Sequence, residues 1–320
     1  MIDLQSLKAK VLEGGVLTDD EVMSLVEVED KNALHEAAAE ITARFHTADF
    51  DSCSIINARS GKCPEDCKWC AQSAHYDTML LTYPLVDHDT CIQLADVNRH
   101  HGIRRFSFVT SGRALGGKSL LTLCSYIREI NRGGNLGLCA SMGLLGREDL
   151  QQLYDAGVRR YHCNLESAPS HFVTLCSTHS QEDKICTMEL AREVGMEVCS
   201  GGIIGMGETE RQRAEFAVAL RRVRPVSIPL NILIPIPGTP LADMQPLSDE
   251  EILTAVALLR FAHPHAVIRF AGGRAQMSRE LQMQAMHVGV NGAIMGDMLT
   301  TLGSGIEEDK KMVAEAGMKF

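Results

Sequence analysis

The 320-residue sequence lacks an excess of basic residues and lacks any long apolar run. It has 31 lysines and arginines against 41 aspartates and glutamates, which gives a formal net charge of −10 at pH 7. This balance argues against binding to nucleic acid, which requires clustered lysine and arginine. No stretch approaches the roughly 20 apolar residues of a membrane span. The sequence therefore predicts a protein that acts on small molecules, away from membranes.

The N-terminus, MIDLQSLKAKVLEGG, contains neither the apolar core of a signal peptide nor a small-residue cleavage site. We therefore expect a cytoplasmic protein. In a reducing compartment its eleven cysteines are expected to stay free thiols that are available to metals. Four cysteines in helix-like or loop-like segments are interpreted as small buried hydrophobic residues: Cys91, Cys124, Cys176 and Cys186.

Helix-like and strand-like segments alternate along most of the chain. Residues 1–46 are typical of helices, and from about residue 51 short β-rich runs alternate with amphipathic helical segments in eight units. Such units predict a parallel sheet with right-handed crossovers. They fit a (β/α)8 TIM barrel with an N-terminal helical extension, and a doubly wound open sheet is the alternative. We divide the chain into N-terminal helices, 1–46, and a barrel with a C-terminal tail, 47–320.

The segment CPEDCKWC places Cys63, Cys67 and Cys70 in the loop after the first predicted strand. Active sites of such barrels lie at the C-terminal ends of the strands. Structural zinc almost always takes four protein ligands, and a disulfide is disfavoured in a reducing compartment. Iron–sulfur clusters are normally held by four cysteine thiolates, so three thiolates leave one iron of a cubane open. The loop therefore predicts a reactive 4Fe–4S centre.

The three-cysteine spacing, with Trp69 beside the last cysteine, resembles the signature of the radical S-adenosylmethionine superfamily. The resemblance implies that S-adenosyl-L-methionine chelates the open iron through its amino and carboxylate groups. It also implies a 5′-deoxyadenosyl radical, whose chemistry belongs to the cofactors. Two segments are expected to bind the nucleoside: SFVTSG, residues 107–112, with Thr110 near the methionyl group, and GGIIGMGE, residues 201–208, with Ile203 against adenine.

A second group of thiols lies on four different predicted strands. Cys53, Cys139, Cys163 and Cys199 are on strands one, three, four and five, and Arg269 is on the seventh. A strand arginine inside an apolar barrel is costly unless it meets an anion, and thiolates around iron form such an anion. The alternative is four unrelated core cysteines. The pattern predicts an auxiliary iron–sulfur cluster inside the barrel.

Five segments together resemble the biotin synthase family: CPEDCKWCAQS, VCSGGIIGMGET, PLNILIPIPGTPLAD, IRFAGGRAQM and TTLGSGIEEDKKMV. The resemblance implies a homodimer that inserts sulfur from its auxiliary cluster into dethiobiotin. It also implies an electron donor such as flavodoxin or ferredoxin. Another radical enzyme on the same barrel, of the hydrogenase-maturation or mutase type, is one alternative. A non-enzymatic iron–sulfur carrier is the other.

The resemblance implies an auxiliary 2Fe–2S cluster held by three cysteines and an arginine, of which Cys139, Cys199 and Arg269 match. The third cysteine of the family pattern falls at Ser107, a harder and less usual iron ligand. Two further cysteines stand where the common pattern has other residues. We therefore expect a rearranged cluster of 2Fe–2S or 4Fe type, near Arg269, with the ligands Cys53, Cys139, Cys199 and, as a candidate fourth thiolate, Cys163.

The same resemblance implies cofactor and substrate contacts. Asn164 and Glu166 match positions that contact the ribose hydroxyls and the substrate, with glutamate in place of the family aspartate. Asn231 matches an asparagine that binds the ureido ring of dethiobiotin, since an amide offers both a donor and an acceptor. Ile234 is expected against adenine. Strand alternation puts Cys163 on the face opposite Asn164 unless a bulge intervenes.

One basic residue of the family pattern, an arginine that binds a carboxylate, is not present in this sequence. The carboxylate-binding arginine after strand four is His179 here, in CSTHSQEDK. Neighbouring Lys184 is a candidate for that role, and the cation that holds the carboxylate stays open.

Overall fold

The computed structural model describes residues 2–296 and 305–320, over which strands and helices alternate. The strands are β1 (Asp51–Arg59), β2 (Arg105–Thr110), β3 (Gly137–Ser141), β4 (Val158–His162), β5 (Glu197–Cys199), β6 (Gly202–Ile204), β7 (Ser227–Ile232), β8 (Val267–Phe270) and β9 (Val290–Ile294). The α-helices are α1 (Leu4–Leu12), α2 (Asp19–Ser24), α3 (Lys31–Phe45), α4 (His88–His100), α5 (Gly117–Arg132), α6 (Arg147–Ala156), α7 (Pro169–Leu175), α8 (Gln181–Glu193), α9 (Glu210–Ala219), α10 (Asp249–Ala262), α11 (Arg279–Val288) and α12 (Ile306–Glu315).

The strands form one closed parallel barrel. Their order is β5-β4-β3-β2-β1-β9-β8-β7-β6, and β5 also pairs with β7. This additional pairing, with Cys199 opposite Ser227, closes the sheet. Because β5 and β6 together occupy one position, the barrel has eight positions. The predicted TIM barrel is confirmed, and the open doubly wound sheet is wrong.

The fifth position of the barrel is interrupted between β5 and β6, although the sequence predicts one strand there. A Cβ at Gly201 would lie 2.0 Å from the Pro229 carbonyl oxygen, and one at Gly202 would lie 2.3 Å from the Glu166 carbonyl oxygen. Side chains are therefore excluded at both glycines. The interruption brings the end of β4 and the start of β7 against the backbone of the fifth position.

Of the α-helices before β1, α2 and α3 pack on the outer helical layer, and α1 packs on α3. Thr18 and Glu21 form a capping box at the start of α2, and Asp30 caps α3. Helix α3 contacts α10 and α11, and α2 contacts α9. The division of the chain near residue 46 stays a prediction.

Two helices lie where the sequence predicts none. Helix α7 starts with Pro169, a residue that is tolerated in the first turn because its missing N–H has no partner there. Helix α12 is formed by the second half of the segment TTLGSGIEEDKKMV, whose residues 300–304 lie outside the described residues. Within 2–296 and 305–320, no helix has the length and apolarity needed to cross a membrane.

Candidate active site

A cavity of about 420 Å³ lies inside the barrel, at the end where its strands stop. The carboxyl ends of β2, β4 and β7 reach it, as expected for the active-site end of a TIM barrel. Every residue that the sequence predicts as a ligand or contact borders this one cavity: Cys53, Cys63, Cys67, Trp69, Cys70, Ser107, Thr110, Cys139, Cys163, Asn164, Glu166, His179, Lys184, Cys199, Ile203, Asn231, Ile234 and Arg269.

The loop with three cysteines is folded by its own backbone hydrogen bonds. The N–H of Cys63 donates to the Gln72 carbonyl at 3.0 Å, and the Cys63 carbonyl accepts from the N–H of Ala74 at 2.7 Å. The N–H of Cys70 donates to the Cys67 carbonyl at 3.0 Å. These bonds form a compact turn that directs three thiols to the cavity.

The carboxylate of Asp66, which is partly exposed, ties this loop to the segment after α7. Asp66 accepts hydrogen bonds from the N–H groups of Ser177 and Thr178 at 2.9 and 3.2 Å, and from the Ser177 hydroxyl. Burial opposes ionisation of this carboxyl, but the hydrogen bonds outweigh burial and lower the pKa of Asp66. The carboxylate form that holds the two segments together is therefore present at neutral pH.

Two cysteines that were expected from the sequence to be buried packing residues, Cys176 and Cys186, have different environments in the structure. Cys186 is exposed, so the interpretation is wrong for it, because α8 buries its neighbour Ile185 instead. Cys176 is buried, but its Sγ lies 3.7 Å from the Cys67 Sγ and 3.3 Å from His179 Nδ1. The metal-binding atoms of these three residues lie within 4.8 Å of one another. Because Cys67 belongs to the three-cysteine loop, Cys176 and His179 lie beside the predicted 4Fe–4S site.

The two candidate cations for a carboxylate have different partners. His179 Nδ1 lies 2.6 Å from Glu65 Oε2, and Arg113 Nη1 lies 3.2 Å from the other oxygen of that carboxylate. The ammonium of Lys184 is buried and lies 3.9 Å from Glu166 Oε1, beyond hydrogen-bond distance. His179 is therefore engaged by an acid, whereas Lys184 can still accept a close anionic partner.

The predicted nucleoside and substrate residues are joined across the interruption between β5 and β6. Asn164 Oδ1 accepts from the N–H of Gly201 at 3.0 Å, and Asn164 Nδ2 donates to Glu166 Oε2 at 3.2 Å. Asn231 Nδ2 donates to the Gly202 carbonyl at 2.9 Å. Glu166 has a φ of 73°, a left-handed conformation that residues other than glycine rarely adopt. Such strained backbone clusters at ligand sites.

Replacing Gly202 with alanine is expected to displace these residues. The new Cβ would lie 2.3 Å from the Glu166 carbonyl oxygen and 2.6 Å from its carbon, so Glu166 and the adjoining Ile203 must move. We expect S-adenosylmethionine affinity, measured by equilibrium dialysis of the reconstituted protein, to fall by at least about tenfold. Gly146→Ala is the matched control, since a Cβ there meets nothing within 4 Å. Equal affinities of the two variants would contradict this account of the site.

Strand register brings the predicted auxiliary ligands to the barrel interior. Cys139 pairs with Ser107 on β2, and Cys199 pairs with His162 on β4. Burial raises the pKa of the Cys53 thiol to about 12, Arg269 opposes this shift, and Cys139 and Cys199 add to it. The three thiols and the guanidinium therefore lie within electrostatic range of one another.

Arg269 on β8 is held by Ser227 on the neighbouring strand β7 and by Asp51 on β1, which is two strands away. Its Nη2 lies 2.8 Å from Asp51 Oδ1, and its Nε donates to Ser227 Oγ at 2.7 Å. Burial opposes its charge, but Asp51 and the nearby thiols raise the pKa of Arg269 above its ordinary value. The arrangement favours a cation beside the predicted auxiliary cluster over an arginine that ligates iron.

Cys163 borders the cavity but lies one residue beyond the end of β4, so its predicted place on the fourth strand is wrong. Burial raises its pKa, and the charged groups that affect it are Lys184 and Glu166. Its N–H donates to the Cys199 carbonyl at 3.1 Å. Its assignment to the auxiliary cluster stays a prediction. The β4 side chain that lies beside the Cys199 sulfur is that of His162, whose Nδ1 is 3.4 Å away.

Two polar residues on β4 were not predicted from the sequence to belong to the site. His162 lies beside Cys199, and Arg160 pairs with Cys139 in register. Arg160 binds Glu197 at 2.9 Å through one side of its guanidinium. A signal was present in RRYHCN, because the two residues are two apart and share a face of the strand.

The residues fit the groups that the sequence predicts. Thr110 Oγ1 and Arg160 Nη1 are both buried, and nothing in the described part of the chain forms a hydrogen bond with either atom. Native proteins rarely leave buried polar atoms unpaired, so these atoms suit a bound cofactor or cluster. Two sets of thiols, on the loop and on the strands, border the same cavity. Thiolates are the ligands that iron–sulfur clusters require.

Solved structures share the fold. A methylornithine synthase superposes with a TM-score of 0.82 at 16% identity, over 98% of this chain and 96% of that one. A maturase of the [FeFe]-hydrogenase superposes with a TM-score of 0.82 at 14% identity, over 99% of this chain and 74% of that one. At these identities the similarity shows the barrel fold alone.

Sequence relatives show the family. Residues 58–220 match the radical SAM superfamily, and residues 229–319 match the Biotin and Thiamin Synthesis associated domain. The biotin synthase of Parabacteroides distasonis is 52% identical over 98% of this chain and 96% of its own length. That of Porphyromonas gingivalis is 51% identical over 99% of this chain and 96% of its own length. The chain therefore belongs to the biotin synthase family, whose members are radical S-adenosylmethionine sulfurtransferases.

Proposed function

We propose that this protein makes biotin by inserting sulfur into dethiobiotin. The observation that carries the proposal is a single cavity bordered by two separate sets of free thiols, one on the loop 63–70 and one on the barrel strands. A 4Fe–4S cluster with S-adenosylmethionine on the loop set would supply the radical, and an auxiliary cluster on the strand set would supply the sulfur.

The side chains around the loop set suit a nucleoside. Thr110 presents an unpaired hydroxyl for the methionyl group, and Glu166 presents a carboxylate that can accept two ribose hydroxyls. Ile203 and Ile234 add apolar surface for adenine. Trp69 packs against Phe172 with ring centroids 6.4 Å apart, which supports the loop beside this surface.

Lys184 is the cation that we assign to the carboxylate of the cofactor or substrate. Its ammonium is buried beside the cavity and lies 3.9 Å from the nearest Glu166 oxygen. A buried charge requires a close partner. A bound carboxylate would supply that partner, whereas His179 already lies 2.6 Å from Glu65.

Asn231 is placed to recognise a cyclic urea. Its Oδ1 accepts from the N–H of Gly272 at 2.8 Å, and its Nδ2 donates one hydrogen to the Gly202 carbonyl at 2.9 Å. A primary amide has a second N–H and a second lone pair. The second N–H of Asn231 can therefore donate to the carbonyl of a ureido ring, and the second lone pair of its Oδ1 can accept from a ring N–H. The two backbone contacts fix the orientation of the amide.

Replacing Asn231 with alanine is expected to raise the KM for dethiobiotin by about tenfold to a hundredfold, since two hydrogen bonds of about 1 kcal/mol each are lost. The measurement is biotin formation against dethiobiotin concentration under anaerobic conditions. Asn98→Ala is the control, because Asn98 is buried on α4, outside the cavity. An unchanged KM in the Asn231 variant would remove this residue from the substrate site.

The auxiliary cluster is proposed to be of the 4Fe type rather than 2Fe–2S. Arg269 is engaged by Asp51 and Ser227, and Ser107 stands at the remaining position of the usual ligand set. With the 4Fe–4S centre, this predicts about eight irons per chain against about six for a 2Fe–2S cluster. Iron analysis with Mössbauer spectra distinguishes the two.

The reaction also needs an electron donor, for which we propose a flavodoxin or ferredoxin in the cytoplasm, and we propose a homodimer. The test of function is anaerobic incubation of the reconstituted protein with dethiobiotin, S-adenosylmethionine and a reductant. We expect biotin, with one 5′-deoxyadenosine for each hydrogen removed. Deoxyadenosine without biotin would indicate another radical enzyme. The absence of both products would indicate an iron–sulfur carrier.

A further inference from the structure

His162 is a polar side chain beside the strand thiols to which the proposed function assigns no role. It is the last residue of β4 and pairs in register with Cys199 on β5, so both side chains extend to the same side of the sheet. Its Nδ1 lies 3.4 Å from the Cys199 Sγ. Both residues border the cavity, which places the imidazole against a predicted ligand of the auxiliary cluster.

The chemistry of the two groups sets the direction of their contact. A cysteine that binds iron does so as a thiolate, which carries no proton and can only accept a hydrogen bond. The Nδ1 atom must then carry the hydrogen and donate it. In the proposed 4Fe cluster each iron takes one protein ligand, and the ligand atoms of different irons lie much further apart than the 3.4 Å between Nδ1 and this sulfur. The distance therefore suits a donor to the sulfur and not a second iron ligand.

Arg160 shows that the same face of β4 carries a second donor. It pairs in register with Cys139. Its Nε and Nη2 bind Glu197 at 2.9 Å, while its buried Nη1 has no hydrogen-bond partner among residues 2–296 and 305–320. Two inward residues of one strand thus place N–H groups beside two predicted cluster ligands. Two such placements on one face are difficult to explain by packing.

We propose that His162 is a positioning residue of the auxiliary cluster, which acts through an Nδ1–H hydrogen bond to the Cys199 sulfur. Hydrogen bonds to cluster sulfurs are among the determinants of reduction potential. A donor stabilises the more negative, reduced state, so His162 is expected to raise the midpoint potential of this cluster. The inference rests on the proposed function, because it requires the auxiliary cluster to exist.

The test uses the full chain with Cys63, Cys67 and Cys70 all replaced by alanine, so that only the auxiliary cluster contributes to the spectra. The protein is labelled with ¹⁵N-histidine, reconstituted and reduced, and then examined by pulsed electron paramagnetic resonance. We expect one weakly coupled histidine nitrogen. A strongly coupled, directly bound nitrogen or the absence of any coupling would overturn the inference, and neither result depends on a substitution at position 162.

Two variants in this background then assign the nitrogen and its effect. His162→Ala is expected to lose the coupling and to have a more negative midpoint potential. His162→Asn, whose amide nitrogen occupies the place of Nδ1, is expected to restore part of the shift. Equal potentials in all three proteins would overturn the role of His162. A background protein that binds no iron would instead overturn the auxiliary cluster and the proposed function with it.

Discussion

Replacing Cys70 with alanine is expected to abolish the formation of both 5′-deoxyadenosine and biotin. Cys70 borders the cavity with Cys63 and Cys67, and a cubane left with two protein thiolates loses the geometry that leaves one defined iron open. Both products are measured by chromatography after anaerobic incubation with dethiobiotin, S-adenosylmethionine and reductant. The expected rates are those of a reaction without protein.

Cys186→Ala is the control for this variant, since Cys186 is exposed on α8 and does not border the cavity. It should keep the iron content and both product rates of the unaltered protein. A Cys70 variant that still forms deoxyadenosine at the parent rate would show that the radical arises elsewhere.

Cys139→Ala is expected to separate the two products. Its thiol is buried on β3 and does not belong to the loop 63–70, so the radical centre should still form. We expect biotin to fall to background while S-adenosylmethionine is still cleaved to 5′-deoxyadenosine. The measurement compares the two products in the same reaction, together with the iron and sulfide content of the protein.

Cys124→Ala is the matched control, because Cys124 is also a fully buried cysteine but packs on α5, outside the cavity. It should form both products. Unchanged biotin formation in the Cys139 variant, with one cluster per chain in both proteins, would end the two-cluster account.

Much of the fold could be predicted because its signals are local. Alternating β-rich and helical runs predict eight barrel units, and they are confirmed. The interruption of the fifth position could not be predicted in this way. It depends on contacts of Gly201 with Pro229 and of Gly202 with Glu166, which are distant in the sequence. The same contacts accompany the left-handed backbone of Glu166.

The candidate site shows the same limit. The spacing of Cys63, Cys67 and Cys70 identifies a cluster loop, because the three thiols lie within eight consecutive residues. Single residues that act through a neighbouring strand give no such pattern. The position of His162 in the site is seen only from the strand register, which places it opposite Cys199. That of Cys176 is seen only from the structure, in which the end of α7 lies beside Cys67.

Anomalous diffraction at the iron edge, on crystals grown anaerobically with S-adenosylmethionine and dethiobiotin, tests the central claim most directly. We expect two groups of iron in one barrel. One group would be bound by Cys63, Cys67 and Cys70, with its remaining iron bound by S-adenosylmethionine, and the other would lie among Cys53, Cys139 and Cys199. A single group of irons, or a protein side chain on the remaining iron of the loop cluster, would contradict it.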